Sequence, residues 1–600
     1  MAYDYVFQKI GSFGRYQKLI YLFQTLPVVF TAIQTYLSVF ILYVPDHRCA
    51  KPNINETKLH MEGVNAINSS MLYSKCARYF NNLTMESLHQ LFDPRTESYN
   101  QHYDYNNKLM HTKYISFETS ADGNSTMHSA ECKRWEYDTT EFEKTFVTEN
   151  NLVCSKKLYR THAIVFFMAG FTVGSLFIGI FSDRLGRKVA FIGSIVLYVG
   201  SNVSLSFAQE FWEFSALRLV SGVSVGGLIT TCYVMDLELV GPDMRMLAGI
   251  VYMLFWGIGA ILLTGMAYLI RDWRKLNLAL ALPTILFLFY TICVPESTRW
   301  LVVRGKREKA EKILRRIARR NNRLFQEPIL SEEDGVDRAP QVSFITLWSH
   351  PRLLCNTVVF FFNWFVVALV FLGLSWNVNN LAGDVFLNFF LTSIAEIVGF
   401  LLCIPLLDRV GRKPVYVVSL FTGGFALLLT MVPVLVGSQD IQWVMSLLSL
   451  VGKVGSSAAF ATIFLYSAEL FPTVIRNTGL GIANFCARTG GMIAPYIPDV
   501  SQIVSGDFGR VLPMCIFGGL AIFAGFLSLL LPETNKQDLP ETLEDAERIW
   551  LKGRRERGKD ITVPPPSNSN TQHGDLIQNL NGETQQSVEL EMLQPLNGET

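Results

Sequence analysis

Twelve apolar runs, each close to the roughly 20 residues a helix needs to cross a bilayer, fill most of the chain between residues 20 and 531. They lie near 20–43, 161–182, 189–208, 211–234, 246–270, 276–294, 353–378, 385–407, 414–436, 441–467, 475–500 and 509–531. Such a chain is expected to be an all-α membrane protein, because a lipid-exposed backbone must satisfy its own hydrogen bonds. Only 17% of the 600 residues are charged, below the roughly 25% of a soluble domain. Half are hydrophobic and the mean hydropathy is +0.26. The first run follows Lys9, Arg15 and Lys18 without a small-residue cleavage site, so it reads as a retained helix and not a signal peptide.

The runs form two sets of six. DRLGRK at 183–188 recurs as DRVGRK at 408–413, 225 residues on. Glu238, seven residues before Arg245, recurs as Glu469 before Arg476, offset by 231. Pro295-Glu296-Ser297 recurs as Pro532-Glu533-Thr534, offset by 237. Three matches in one order at nearly one offset indicate an internal duplication, the pattern of a transporter built from two halves.

Loop chemistry predicts sidedness. Residues 44–160 form a long polar loop with acceptor sequons at Asn55, Asn68, Asn82 and Asn124. The loop also holds Cys49, Cys76, Cys132 and Cys154, an even set that suits two disulfides in an oxidising space and allows three pairings. A further sequon at Asn202 lies inside an apolar run and is expected to stay unmodified. The turns with Arg184, Arg187 and Lys188, the turns with Arg409, Arg412 and Lys413, and the basic stretch 299–323 are expected on the cytoplasmic side. The boundaries that follow are a cytoplasmic N-terminus at 1–19, a first six-helix half at 20–295, a cytoplasmic linker at 296–352, a second half at 353–532 and a cytoplasmic tail at 533–600. Residues 304–320 read as an amphipathic helix below the membrane, against lipid or with its charged face simply solvated. The tail, with Pro564-Pro565-Pro566 and two copies of LNGET, reads as largely disordered.

The paired DR-x-GRK turns, the large first loop, PESTRW from Pro295 and YSAELFPTVIRNTGLG at 466–481 resemble the major facilitator superfamily. Within it, they are similar to the organic cation, anion and zwitterion transporters of solute carrier family 22. The resemblance covers residues 1 to about 545. It implies a plasma-membrane carrier of small charged organic molecules working by alternating access. Two residues depart from the family pattern: Phe371 stands where many cation carriers have Tyr, and Thr298 interrupts the usual PESPRW.

Charges at a helix centre cost about 2.5–3.5 kcal/mol each, so each needs a reason. Arg218, Glu396, Lys453 and Arg488 lie inside apolar runs, the last three near the midpoints of theirs. Mutual pairing is the plain alternative for them, and packing or gating for Arg218, which precedes Gly222 and Gly226. As a substrate site, Glu396 can face an ammonium and Arg488 can fork onto a carboxylate, which suits a zwitterion such as carnitine, a betaine or a β-amino acid. The resemblance implies the same. Cation carriers keep the acid at 396 but carry an acid in place of Arg488, whereas anion carriers keep the base and lack the acid. If Lys453 neutralises Glu396, Arg488 alone remains and the substrate becomes an organic anion. Trp364 and Phe371, two turns apart on one face, Tyr466 and, less directly, Trp376 are candidate aromatic walls. Ordinary packing aromatics are the alternative.

The acids Asp183 and Asp408 can cap neighbouring helix N-termini, while Arg184, Arg187, Arg409 and Arg412 pair with Glu238 and Glu469. Such a network would hold an inner gate shut, and a static role in topology is the alternative. No phosphate-binding loop and no His/Cys cluster of metal spacing occurs in the sequence. No enzyme activity, cofactor, metal or nucleic-acid partner is therefore expected. Coupling to Na⁺ or H⁺ stays open. The expected partners are the bilayer and a small charged solute, and a non-transporting receptor is the competing class.

Overall fold

The computed structural model describes residues 5–49, 71–73, 77–81, 115–119, 126–132, 135–323, 330, 350–381, 383–436, 442–472, 475–500, 507–535, 537, 540 and 546–547. Twelve helical segments stand where the twelve runs were read. In the first half they are α1 (Arg15–Ile41), α2 (Lys157–Leu185), α3 (Arg187–Leu205), α4 (Phe211–Leu239), α5 (Arg245–Leu269) and α6 (Trp273–Ile292). In the second they are α7 (Pro351–Trp376), α8 (Val385–Arg409), α9 (Arg412–Leu429), α10 (Gln442–Leu470), α11 (Arg476–Ile493) and α12 (Asp507–Ser528). Among the described residues, 11 segments are both long and apolar enough to span a membrane. The remaining one, α11, has 18 residues and is made more polar by Asn484, Arg488 and Thr489.

Helix packing within each half follows small residues. Hydrophobic force between helices is weak in lipid, so close backbone approach does the work. Gly170 and Gly174 on α2 meet the carbonyls of Leu219 and Val223 on α4, while Gly222 and Gly226 on α4 meet those of Phe167 and Phe171 on α2. A Cβ at Gly222 would lie 2.1 Å from the Phe167 carbonyl oxygen. Gly222→Val is therefore expected to cost about 3 kcal/mol or more and to lose surface expression, read by flow cytometry and by melting of the purified protein.

The halves also touch directly. At the end of the bundle that carries the large loop, Arg160 at the start of α2 forms an ion pair of 3.0 Å with Asp499 beyond α11, and the Thr161 hydroxyl donates to the same carboxylate. Asn379 Nδ2 donates to the Val39 carbonyl at 3.1 Å, and the Phe40 ring stacks on Phe386. Deeper in the bundle, Gly257 of α5 abuts Ile397 of α8.

Outside the bundle, β1 (His47–Cys49) pairs antiparallel with a strand at Trp135–Tyr137, and Cys49 is disulfide-bonded to Cys132. Cys154 is disulfide-bonded as well. Cys76 and the sequons Asn55, Asn68, Asn82 and Asn124 fall outside the described residues. Asn202 is fully buried on α3, its amide donating to the Tyr198 carbonyl and its oxygen accepting from Ser221. The basic helix Arg307–Arg320 meets neither of its sequence expectations outright. Its apolar face, Leu314, Ile317 and Ala318, is covered by Val6, Phe7 and Ile10 of the short helix Tyr5–Ile10. Asn321 fastens this contact, donating to the Ile10 carbonyl and accepting from the Tyr16 amide.

Candidate substrate site and gate charges

Glu396, on α8, is 1% exposed, and so is Lys453, on α10. They form an ion pair of 2.8 Å. The Lys453 ammonium also donates to the Phe371 carbonyl at 3.0 Å and to the Ser375 hydroxyl at 2.8 Å, both on α7. Three helices of the second half are thus tied at one point. A residue of the first half joins them: the Tyr36 hydroxyl on α1 donates to Glu396 Oε2 at 3.2 Å and accepts from Trp256 Nε1 on α5 at 3.2 Å. The other carboxylate oxygen, Oε1, is buried with no partner.

Arg488 stands apart from that pair. Its guanidinium carbon lies 3.7 Å from the centre of the Phe171 ring on α2, a cation–π contact. No described acid pairs with it, and its Nε is buried without a partner. Glu396 and Arg488 therefore do not neutralise each other. A charge without a counter-charge at this depth is costly unless a ligand supplies one.

The aromatic candidates separate. Phe371 has the Lys453 ammonium 3.7 Å from its ring centre and Phe460 stacked on it at 4.5 Å, so both faces are taken. Trp364 is 2% exposed, bonds Ser467 through its indole N–H at 3.0 Å and packs edge-on to Phe464 at 4.6 Å. Tyr466 does not belong with them. It is fully buried between Phe360 and Tyr416 with its hydroxyl donated to the Pro532 carbonyl, because its position on α10 points into the second half and away from the first. Trp376 is 6% exposed with an unpartnered indole N–H. Tyr36 and Trp256 were not singled out from sequence. Each is one aromatic among many in an apolar run, and only the fold brings them to Glu396. Arg218 is fully buried under the Phe167 ring at 4.2 Å, donating to the Gln34 carbonyl at 3.2 Å, which ties α4 to α1 and α2.

The duplicated turns have matching geometry. Arg187 pairs with Asp183 at 2.5 Å and with Glu238 at 3.4 Å. Arg412 pairs with Asp408 at 3.5 Å and reaches both oxygens of Glu469 at 3.1 Å. Arg184 and Arg409 stay exposed. Each network lies inside its own half, joining α2 to α4 or α8 to α10. The expected cap by Asp183 and Asp408 is corrected, since those acids face Arg187 and Arg412. The caps come from the PES and PET acids. Glu296 accepts from the Lys188 amide at 3.1 Å, and Glu533 accepts from the Arg412 and Lys413 amides at 3.0 and 3.1 Å. A carboxylate at a helix N-terminus satisfies free N–H groups and the helix dipole together.

Gly186 and Gly411 adopt φ of +120° and +114°, conformations that disfavour any Cβ. A Cβ there would also lie 2.6 and 2.8 Å from the Glu296 and Glu533 carboxylates. The repeated Pro-Glu offset was the signal for these caps. Glu296→Ala and Glu533→Ala are each expected to cost about 1–2 kcal/mol and, through the repeat, to lower the melting temperature by similar amounts in a fluorescence assay.

Two homologous halves of membrane-spanning helices, with ionised side chains buried between them, define a membrane transporter of the major facilitator fold. Residues 103–550 match the family described as "Sugar (and other) transporter". An organic cation transporter protein of Drosophila melanogaster is 35% identical over 92% of this chain and 96% of its own. Solute carrier family 22 member 1 of Oryctolagus cuniculus is 32% identical over 93% of this chain and 97% of its own. A beta-alanine transporter of Drosophila melanogaster is 32% identical over 92% and 90%. The proton:xylose symporter XylE, solved bound to 6-bromo-6-deoxy-D-glucose, superposes with a TM-score of 0.53 at 21% identity over 68% of this chain and 92% of that one, which bears on the fold alone. The chain belongs to the sugar (and other) transporter family, in its solute carrier family 22 branch of organic-ion carriers.

Proposed function

We propose that this chain is a plasma-membrane secondary transporter that moves a small carboxylate-bearing organic solute, of the β-amino acid, betaine or carnitine class, by alternating access. The observation that carries the reading is Arg488, a guanidinium deep in α11 with no acid upon it and a ring of the opposite half beneath it. A planar fork of donors suits a carboxylate. The solute's cationic end would take the side where Glu396 keeps one oxygen without a donor and Tyr36 and Trp256 offer aromatic surface. A relative named as a beta-alanine transporter supports the same class.

The Glu396–Lys453 pair favours a second reading. A neutralised acid leaves Arg488 as the net charge of the site, and an organic anion without an ammonium would then suffice. The relatives named as organic cation transporters keep simple cations in the comparison.

In the proposed orientation, the disulfide-bearing first loop is extracellular and both termini are cytoplasmic. The contacts of Arg160 and Asn379 then close the outer end. Asp183, Arg187 and Glu238, with Asp408, Arg412 and Glu469, brace the cytoplasmic ends of the two halves, so that each half rocks as a body. Uptake in oocytes of β-alanine, carnitine, betaine, a quaternary cation and a dicarboxylate, with and without Na⁺, tests the reading. Accumulation of zwitterions above the quaternary cation supports it. Dicarboxylate uptake alone gives the anion reading, and binding without accumulation gives a receptor.

A further inference from the structure

The most isolated acid lies on α4, not in the site above. Asp236 is 1% exposed, and its Oδ2 accepts from the Thr25 hydroxyl of α1 at 2.9 Å. Its Oδ1 is buried with no partner, and no described Lys, Arg or His pairs with it. Its ionisable neighbours are uncharged groups: Tyr21 on α1, Cys232 and Tyr233 on α4 itself and Tyr252 on α5. None of them hands it a proton. Tyr21 donates to the Ala248 carbonyl at 2.6 Å and Tyr252 to the Ile229 carbonyl at 2.9 Å, while Cys232 and Tyr233 leave Oδ1 without a donor. From α2 and α3, also packed on α4, no ionisable group acts on it. A carboxylate so placed has one donor where its charge asks for several. A neutral acid fits the place.

Two further features surround this acid. A small, partly open cavity at the end bearing the duplicated turns is lined by Gln24, Met235, Glu238, Leu239, Glu296 and Thr298, and has room for a water. Gln24 and Met235 are the chain neighbours of Thr25 and Asp236, and Gln24 Oε1 and Glu238 Oε2 are buried acceptors without donors. Towards the substrate side, Tyr252 is the electrostatic neighbour both of Asp236 and of Arg488. One aromatic side chain thus separates the acid from the cation assigned to the solute.

We propose that Asp236 is a proton-binding site that couples solute movement to a proton gradient. A proton arriving through the cavity water adds to Oδ1 and forms the neutral acid held in this conformation. No other bond changes. When α1 and α4 shift in the opposite conformation, the acid ionises and the proton leaves. This rests on the transport reading of Arg488 and deepens it by naming the coupling ion.

The test uses the full chain in proteoliposomes with β-alanine and tetraethylammonium as probes, and Asp236→Asn as the isosteric variant. In the wild type, solute flux should change about threefold or more between mildly acidic and mildly alkaline buffer, and added solute should move protons measured with an enclosed pH dye. The variant should keep equilibrium exchange of the solute but lose both the pH dependence and the proton flux. Infrared spectra of the purified wild type should show a neutral-carboxyl band at neutral pH that is missing from the variant. This measurement needs no solute, so absence of uptake of both probes would sink the function reading and leave proton binding to be judged by the band. A wild type without proton flux, an unaltered pH profile in Asp236→Asn, or identical infrared spectra would each overturn the coupling. If the variant fails to fold, the dye measurement on the wild type still decides.

Discussion

Arg488→Ala is expected to lower uptake of β-alanine or carnitine by about a hundredfold, with surface expression intact. Losing one partner of a desolvated, hydrogen-bonded charge pair costs about 2–5 kcal/mol, and each 1.4 kcal/mol is tenfold. The fold should tolerate the change because Arg488 leaves no orphaned acid behind, and only its cation–π contact with Phe171 is lost. Arg488→Lys keeps the charge and loses the fork, so roughly a tenfold loss is expected. Arg488→Asp inverts the sign and is expected to admit simple cations. Radiolabelled uptake corrected for surface biotinylation checks all three. Wild-type kinetics for the zwitterion in Arg488→Ala would remove Arg488 from the site and with it the reading of the substrate.

Lys453→Met should behave in the opposite way and fail in folding before it fails in transport. Removing one partner of a buried ion pair strands the other charge, at about 3–5 kcal/mol. Glu396, 1% exposed, would keep only the Tyr36 hydroxyl, and the Phe371 carbonyl and Ser375 hydroxyl would lose their donor. Replacing both partners, Glu396→Gln with Lys453→Met, removes both charges, and surface expression should return towards wild type. Transport by that double variant then decides between the two readings of the solute. Retained dicarboxylate uptake with lost zwitterion uptake would assign the ammonium to Glu396, whereas unchanged uptake of both would make the pair a structural tie. Wild-type expression of Lys453→Met alone would contradict the pairing described.

The two halves and their twelve helices were legible because apolar length and repeat spacing are properties of the chain itself. A helix in lipid closes its own hydrogen bonds, so its existence needs no partner. The duplicated turns were legible for a similar reason. Gly186 and Gly411 take φ values that favour glycine, and Arg187 and Arg412 reach Asp183 and Asp408 within one turn. The caps by Glu296 and Glu533 were half legible, since the repeat flagged the residues without saying what they touch. Asp236 escaped notice because the fourth apolar run was read as ending at 234, while α4 continues to Leu239. Tyr466 was misread because its motif resembles the family's while its side chain turns into the second half.

Sequence alone determined which segments enter the membrane, that they form two related sets and that ionised residues lie at mid-depth. All of these follow from local hydrophobicity and spacing along one chain. Only the tertiary structure decided that Lys453 neutralises Glu396, that Tyr36 from the other half completes the cluster, and that Arg488 and Asp236 stand without counter-ions. The physical reason is the low dielectric between helices. There, whether a charge is paired outweighs where it sits in the chain, and pairing depends on how helices far apart in sequence rotate against one another.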